Sequence, residues 1–490
     1  MNRDLPNIVL INTDQQRADT IGALGQPHME TPNLDRLAEE GVAFTNNFTT
    51  APSCVPARAS LFSGFFPHNT NVLSNGDSWS PGWIDSLVKR GYHCVNVGKM
   101  HTVPPDVKGG FYERYIVENK DRPRDPENPE SYFHDEWDKY LAHRGVEKPS
   151  RQSYMSRPNY DEALGAFSWP LEDEDHSDFF VGNMARWWIE QYEGESPVFL
   201  EIGFPGPHPP YDPIERYVDL YREKDLPLPE VAPGEIEKQP PPQRAYRKEM
   251  INHNASVPPE TGHDAVQWKR DPSGEQLHRL RAHYYANVTM IDEKIGEILD
   301  TLEEKDALRD SVVIFTADHG DALGDHGHIQ KWTMYDCSVN VPLLFWSPDM
   351  FSGGEVIDSL VQWMDIAPTV LELAGLEVPK RWDAKSLLPL LEGRKEKIRD
   401  YVFSEHGKDW AEGVWDATEF MTMIRSEKHK LVHYMGEEFG ELYDLESDPE
   451  EKINLWQNES FEELKQDLLK ELYEWRMKSE YRAKPTTLEE

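Results

Sequence analysis

The chain is poor in cysteine and in positive charge, and it has no long apolar run. Its 490 residues include 3 cysteines, Cys54, Cys94 and Cys337, which form neither a metal-like pair nor a disulfide framework. A thiolate-rich zinc site is thereby excluded, and a reducing compartment fits best. No hydrophobic stretch approaches the roughly 20 residues needed to span a bilayer. Met1-Asn2-Arg3-Asp4-Leu5-Pro6 leads straight into a strand-like segment, leaving no room for a secretory leader, so a cytoplasmic protein without membrane attachment is expected. Basic residues number 51 against 89 acidic ones, a formal charge of −38. That balance argues against nucleic acid, which needs a basic footprint, and it requires any anionic ligand to be met by a local basic pocket.

The chain does have enough apolar residues to fold: 38% hydrophobic and 11% aromatic content suits a packed globular protein. The length suggests one large domain and a smaller one. Asn7 to Thr13, Tyr92 to Val97, Val198 to Ile202 and Ser311 to Ala317 read as buried parallel strands, short apolar runs without alternation. Between them lie helical segments: one opened by Thr31-Pro32 and closed by Gly41, one from Pro81 to Arg90 stopped by Gly91, one from about Asp178 to Tyr192, and a long one from Gln276 to Glu304. The alternation predicts an α/β fold, a mostly parallel sheet sandwiched by helices. Pro104 to Asp175 and Pro227 to Asp271 break it and read as insertions that wall the site. From about Arg399 the pattern changes to short alternating strands, Tyr401 to Ser404, Phe420 to Arg425, Lys430 to Tyr434 and Glu441 to Leu445, followed by an amphipathic helix from Phe461 to Arg476. The expected division is a catalytic domain over 1–398, with insertions at about 104–175 and 227–271, and a C-terminal α+β subdomain over 399–490.

Four strands run directly into chemically loaded residues: Asp14-Gln15, Gly98-Lys99-Met100-His101, Gly206-Pro207-His208-Pro209-Pro210 and Asp318-His319-Gly320. Ligands of open parallel sheets bind outside the carboxyl ends of strands, so these groups should converge on one crevice. Asp14, Gln15, Asp318 and His319 offer two carboxylates, an amide oxygen and an imidazole, a set suited to one divalent ion. Calcium is favoured, with manganese kept in play by the imidazole and magnesium as a further alternative. Arg58, Lys99, His101, His208 and Lys331 supply the positive charge and proton donors that an anionic ester needs. Cys54 lies two residues before Pro56, near an expected helix start and one turn from Arg58, which is a nucleophile's position. His326, between two glycines, reads as a turn residue, and His68, His93, His263 and His278 as structural or surface groups.

Cys54-Val55-Pro56-Ala57-Arg58, followed by Leu61 and Gly64, resembles the C-x-[PA]-[SA]-R signature of the type I sulfatases in the alkaline phosphatase superfamily. Gly98-Lys99-Met100-His101, Pro207-His208-Pro209 and the run from Asp318 through His326 to Lys331 are similar to further motifs of that family, as is Glu441 to Glu451. The resemblance runs from Asn7 to about Leu376. Gln15, standing where many members carry a second acid, resembles choline-sulfatase-like members and phosphonate monoester hydrolases. The family implies that a maturation enzyme oxidises Cys54 to formylglycine, and that residue 54 joins Asp14, Gln15, Asp318 and His319 around the ion. It also implies roles for the other residues: a formylglycine hydrate attacks sulfur, Arg58, Lys99 and Lys331 hold the sulfate, His208 protonates the leaving alcohol, and His101 takes the proton that expels sulfate. Asn75 falls where relatives place a polar residue lining the substrate, although Asn75-Gly76 also reads as a turn. The implied activity is hydrolysis of a sulfate monoester borne by a sugar, an aryl group or a small metabolite. A phosphonate monoester or phosphodiester hydrolase is the alternative on the same scaffold. A binding protein on a decayed fold is disfavoured by the intact set of residues. Oligomeric state is left open, with a homo-oligomer among the allowed assemblies.

Overall fold

The computed structural model describes residues 5–118, 133–150, 153–154, 156–250, 268, 271–305, 311–407 and 420–484. Its centre is an eight-stranded sheet built from β1 (Asn7–Asp14), β2 (Val42–Phe44), β4 (His93–Gly98), β5 (Glu113–Ile116), β6 (Val198–Pro207), β7 (Ser311–Ala317), β8 (Leu343–Trp346) and β9 (Glu355–Ile357). The order across the sheet is β5-β4-β6-β1-β7-β8-β2-β9. All pairings are parallel except those of β8, which runs antiparallel to both β7 and β2. β3 (Asn47–Phe48) and β10 (Val361–Gln362) form a small parallel ribbon beside it.

The apolar runs of the central strands have two destinations, because successive side chains face opposite sides of a strand. Val9, Ile11, Val313 and Phe315 join the core beneath helix α1 (Pro32–Glu40), the helix Ser177–Gln191 and the long helix Gly274–Glu304. Ile8, Leu10, Val312 and Ile314 join the other core, beneath α2 (Cys54–Leu61) and the helices Ile84–Arg90, Ile366–Leu373 and Glu462–Ala483. Each such side chain removed from water contributes about 1.5–3 kcal/mol, so a strand covered on both faces is fixed in register by both. The expected α/β class is observed, with helices on both faces.

Boundaries shift by a few residues, and two expectations need correction. The 104–175 stretch is not wholly outside the sheet, since Glu113–Ile116 adds to it as the edge strand β5, and the helix Glu136–Arg144 follows. Pro56 is the third residue of α2 rather than its first, with Ser53 preceding the helix and Cys54 opening it. A proline is tolerated there because the first-turn N–H groups have no intrahelical acceptor to lose. The start of α1 is capped from a distance: Asp292 of the long helix accepts from the N–H groups of Asn33 and Leu34 at 3.2 and 2.7 Å.

Near the C-terminus β11 (Val402–Gly407), β12 (Phe420–Arg425), β13 (His429–Tyr434) and β14 (Gly440–Asp444) form an antiparallel sheet in sequence order, followed by the helix Glu462–Ala483. Among the described residues, no helix is long and apolar enough to cross a membrane. His263 and the middle of the second insertion lie outside the described residues.

Candidate active site

β1, β4, β6 and β7 all end at one edge of the sheet. Asp14 is the last residue of β1, Lys99 follows β4, and Asp318-His319 follows β7. α2 approaches from the side and inserts Cys54, with every residue of that helix buried. Ligand atoms of Asp14, Cys54, Asp318 and His319 lie within 4.8 Å of one another, all four residues buried. The Cys54 Sγ is 3.1 Å from His319 Nε2, 3.6 Å from Asp14 Oδ1 and 3.0 Å from Lys331 Nζ.

The cations are threaded between the acids. Arg58 donates through Nε to Asp318 Oδ2 at 2.8 Å and through Nη1 to the Lys99 carbonyl at 2.8 Å, and its Nη2 lies 3.5 Å from Asp14. Lys99 Nζ is 2.5 Å from Asp14 Oδ2. Burial alone pushes Asp14 up, but Lys99, His208, Lys331 and Arg58 together hold its carboxyl well below the usual range. Burial, and next Asp14, pushes the Cys54 thiol up to about 12. Burial lowers His319 to about 4, despite the nearby acids. His319 Nδ1–H donates to the Gly320 carbonyl at 3.0 Å, so its Nε2 lone pair is the one aimed at the cluster. A metal-binding imidazole is oriented in this way.

Gln15 is a metal-ligand candidate by a different test. Its side-chain Nε2 donates to Asp321 Oδ2 at 2.7 Å, while Oε1 is buried with no hydrogen-bond partner among the described residues. A buried oxygen left without a donor costs about 1–3 kcal/mol, which a cation beside it would relieve. Two carboxylates, a neutral imidazole and an orphaned amide oxygen fit a divalent ion.

His208 belongs to the Pro-rich segment after β6, and its Nδ1–H donates to the Pro209 carbonyl at 2.7 Å. Its charge is among those that lower Asp14, so it stands near the cluster. His101 takes a left-handed backbone conformation, φ 59°, with its N–H donating to Glu118 at 3.3 Å and its carbonyl accepting from Trp79 Nε1 at 2.8 Å. Asn75 makes contact with the helix that carries residue 54. Its Oδ1 accepts from the Val55 N–H at 3.1 Å and the Ser53 hydroxyl at 3.0 Å, so it caps the helix that carries residue 54. His326 sits at φ 55° in the expected turn, stacked on Tyr335 and bonded to Glu235 at 2.8 Å.

Both insertions lie against the loops of the site. The first pairs with the His208 segment, Phe167 N–H to the Tyr211 carbonyl and Trp169 N–H to the Pro213 carbonyl, both at 2.9 Å. The second grips the turn leading to Lys331, through Tyr246 to the Ile329 carbonyl at 2.9 Å and Gln239 to the His326 carbonyl at 2.8 Å. Sequence reasoning missed Asp321 and Tyr284 as partners of Gln15, and Tyr211 as a partner of Asp321; the only signal available was the place of Asp321 beside Asp318-His319.

The α/β fold and the buried cluster at its sheet edge define an enzyme site suited to an anionic ester. The protein-family model described as Sulfatase matches residues 6–376, and that of the N-sulphoglucosamine sulphohydrolase C-terminal region matches residues 324–478. The chain is 32% identical to an arylsulfatase of Clostridium perfringens, over 95% of this chain and 94% of that one. It is 29% identical to a choline-sulfatase of Rhizobium meliloti, covering 94% and 84% respectively. The phosphonate monoester hydrolase structure from Agrobacterium radiobacter superposes with a TM-score of 0.78 at 26% identity, covering 97% and 96%. The chain therefore belongs to the sulfatase family and is a sulfuric ester hydrolase.

Proposed function

We propose that the protein hydrolyses a small sulfate monoester at residue 54, with Cys54 matured to formylglycine and one divalent ion held by Asp14, Gln15, Asp318, His319 and residue 54. The observation that carries this reading is the buried meeting of Cys54 with Asp14, Asp318 and His319, flanked by Lys331 at 3.0 Å. Formylglycine would supply a geminal diol as nucleophile, and the ion Lewis acidity to activate it.

The remaining chemistry belongs to the chain. Arg58, clamped by Asp318 and the Lys99 carbonyl, is a fixed charge that needs no reorganisation when negative charge builds on the sulfate oxygens. Lys99 and Lys331 bring two more charges, one against Asp14 and one against Cys54. His208, with Nδ1–H tied to its own loop, presents Nε2 to protonate the leaving alcohol. His101 accepts the proton released from residue 54 in the second step. The oxygen-rich donor set favours calcium, with manganese and magnesium as alternatives that metal analysis separates. A formylglycine-generating enzyme is the implied partner in the cell. The three free cysteines support a reducing, cytoplasmic setting, and the pattern change near residue 399 supports the 1–398 and 399–490 division.

A second reading, a phosphonate monoester or phosphodiester hydrolase, is favoured by Gln15 and by the likeness to the Agrobacterium radiobacter enzyme. Aryl sulfate, aryl phosphonate and aryl phosphodiester assayed side by side decide between them. The sulfatase reading requires the sulfate to have the highest kcat/KM. Peptide mass spectrometry should find formylglycine at 54 and thiols at Cys94 and Cys337; full activity with an unmodified Cys54 would overturn the maturation.

A further inference from the structure

The geometry points to Asp321 as a positioning residue that decides which end of the Gln15 carboxamide faces the cation, an inference that rests on the metal reading above. A primary amide presents either an oxygen or an NH₂ group, and only the oxygen can ligate a metal ion. The backbone of Gln15 does not settle the choice. It is held at φ 70°, with its N–H donating to Asp318 Oδ1 at 3.0 Å and its carbonyl accepting from Tyr284 at 2.7 Å. Those bonds fix where the side chain starts and leave the end-for-end orientation of its amide open.

Asp321 removes the ambiguity. Its Oδ2 accepts from Gln15 Nε2 at 2.7 Å and from the Tyr211 hydroxyl at 2.6 Å, and its Oδ1 accepts from the Leu323 N–H at 3.0 Å. A carboxylate loaded with three donors offers Gln15 an acceptor only, so Nε2 must turn to it and Oε1 must turn away. That is the oxygen left buried without a hydrogen-bond partner. Because Tyr211 stands three residues beyond His208, the same carboxylate also ties the metal arm to the loop of the general acid.

The test is cation binding by calorimetry on the chelator-stripped full-length enzyme, titrated with calcium chloride and with manganese chloride. Asparagine at 321 can donate to Gln15 Oε1 and permits the reversed amide, so Asp321→Asn should weaken binding about tenfold or more. In a Gln15→Ala background the same change should add less than about twofold, since there is no amide left to orient. The transposed pair Gln15→Glu with Asp321→Asn should regain wild-type affinity or better, whereas Gln15→Glu alone, setting two carboxylates face to face, should bind more weakly than wild type. Binding by Asp321→Asn within about twofold of wild type, or an equal penalty with and without Gln15, would overturn the assignment. If Asp321→Asn does not fold, the transposed pair decides, and weak binding there is the adverse result. A wild-type enzyme with no saturable cation binding would fail the metal reading itself, and this inference with it.

Discussion

Two clusters of buried polar groups, one at the sheet edge and one beneath the C-terminal sheet, are built from similar residues and end in opposite states. In the second, Glu441 Oε1 accepts from the Tyr434 hydroxyl at 2.5 Å and from Gln243 Nε2 at 2.7 Å, while its Oε2 accepts from the Tyr443 hydroxyl at 2.7 Å. Tyr335 closes the network onto Gln243 Oε1 at 3.0 Å. Every partner there is protein, and the result joins the C-terminal sheet to the second insertion. At the sheet edge, the Gln15 Oε1 is left without a partner, and three cations crowd two carboxylates around one thiol. Satisfied burial holds the fold together, whereas like and unlike charges buried together at the ends of strands are gathered for chemistry at a cost in stability.

The largest break in this comparison should come at residue 54. Cys54→Ala is expected to lower turnover about 10⁴-fold or more while leaving the thermal midpoint unchanged or raised, because the partners of the removed group, Asp14, His319 and Lys331, belong to the site and not to the fold's framework. Calorimetric melting beside an aryl sulfate assay checks both halves. A melting point that fell together with activity would place Cys54 with the structural cluster instead.

Next in size is the proposed proton donor, His208. His208→Ala should slow esters with poor leaving groups by about 10²–10⁴-fold, while nitrophenyl sulfate, whose leaving group scarcely needs a proton, loses far less. The slope of log kcat/KM against leaving-group pKa is the measurement. An unchanged slope would reduce His208 to a binding group.

The structural cluster should give the mirror image. Glu441→Ala strands the Tyr434, Tyr443 and Gln243 donors in the interior, costing about 2–4 kcal/mol of stability. The melting point should drop by several degrees, with kcat per folded molecule little changed. A selective loss of kcat would show that the C-terminal sheet steers the site rather than merely bracing it.

These two clusters were not equally visible in the sequence. The sheet edge was legible because strands buried on both faces read as unbroken apolar runs, and each run stops at a residue that carries chemistry, as at Thr13-Asp14 and Ala317-Asp318. The edge strand Glu113–Ile116 was hidden because it pairs on one side only and keeps charged residues. The short strands Val42–Phe44 and Leu343–Trp346 were hidden because three or four residues carry no period. Asp321 and Gln15 are 306 positions apart, and Gln243 and Glu441 are 198 apart, so neither pairing leaves a local pattern. Asn75 shows the limit of motif reading from the other direction. Its bond to the Val55 N–H at the helix start is a role that only the fold defines.

The smallest expected effect sharpens the comparison, because it concerns a carboxylate that belongs to neither state completely. Glu201 lies in the middle of β6, fully buried, with Oε2 accepting from Asn96 and Oε1 without a hydrogen-bond partner among the described residues. Burial raises its pKa to about 7, only partly opposed by Arg58 and by the Asn96 bond. The folded state therefore binds a proton more tightly than the unfolded chain, whose glutamate titrates near 4.5. The stability this confers is complete below about pH 4.5 and is lost as the pH rises through about 7, where the ionised form must be buried. Glu201→Gln, which keeps an acceptor for Asn96 and cannot ionise, should stabilise the protein at pH 8 by on the order of 1 kcal/mol and change little at pH 5. Melting curves of both proteins at the two pH values measure the difference directly. An equal shift at both would mean that Glu201 is already satisfied as a charge and stands with Glu441, not with the sheet edge.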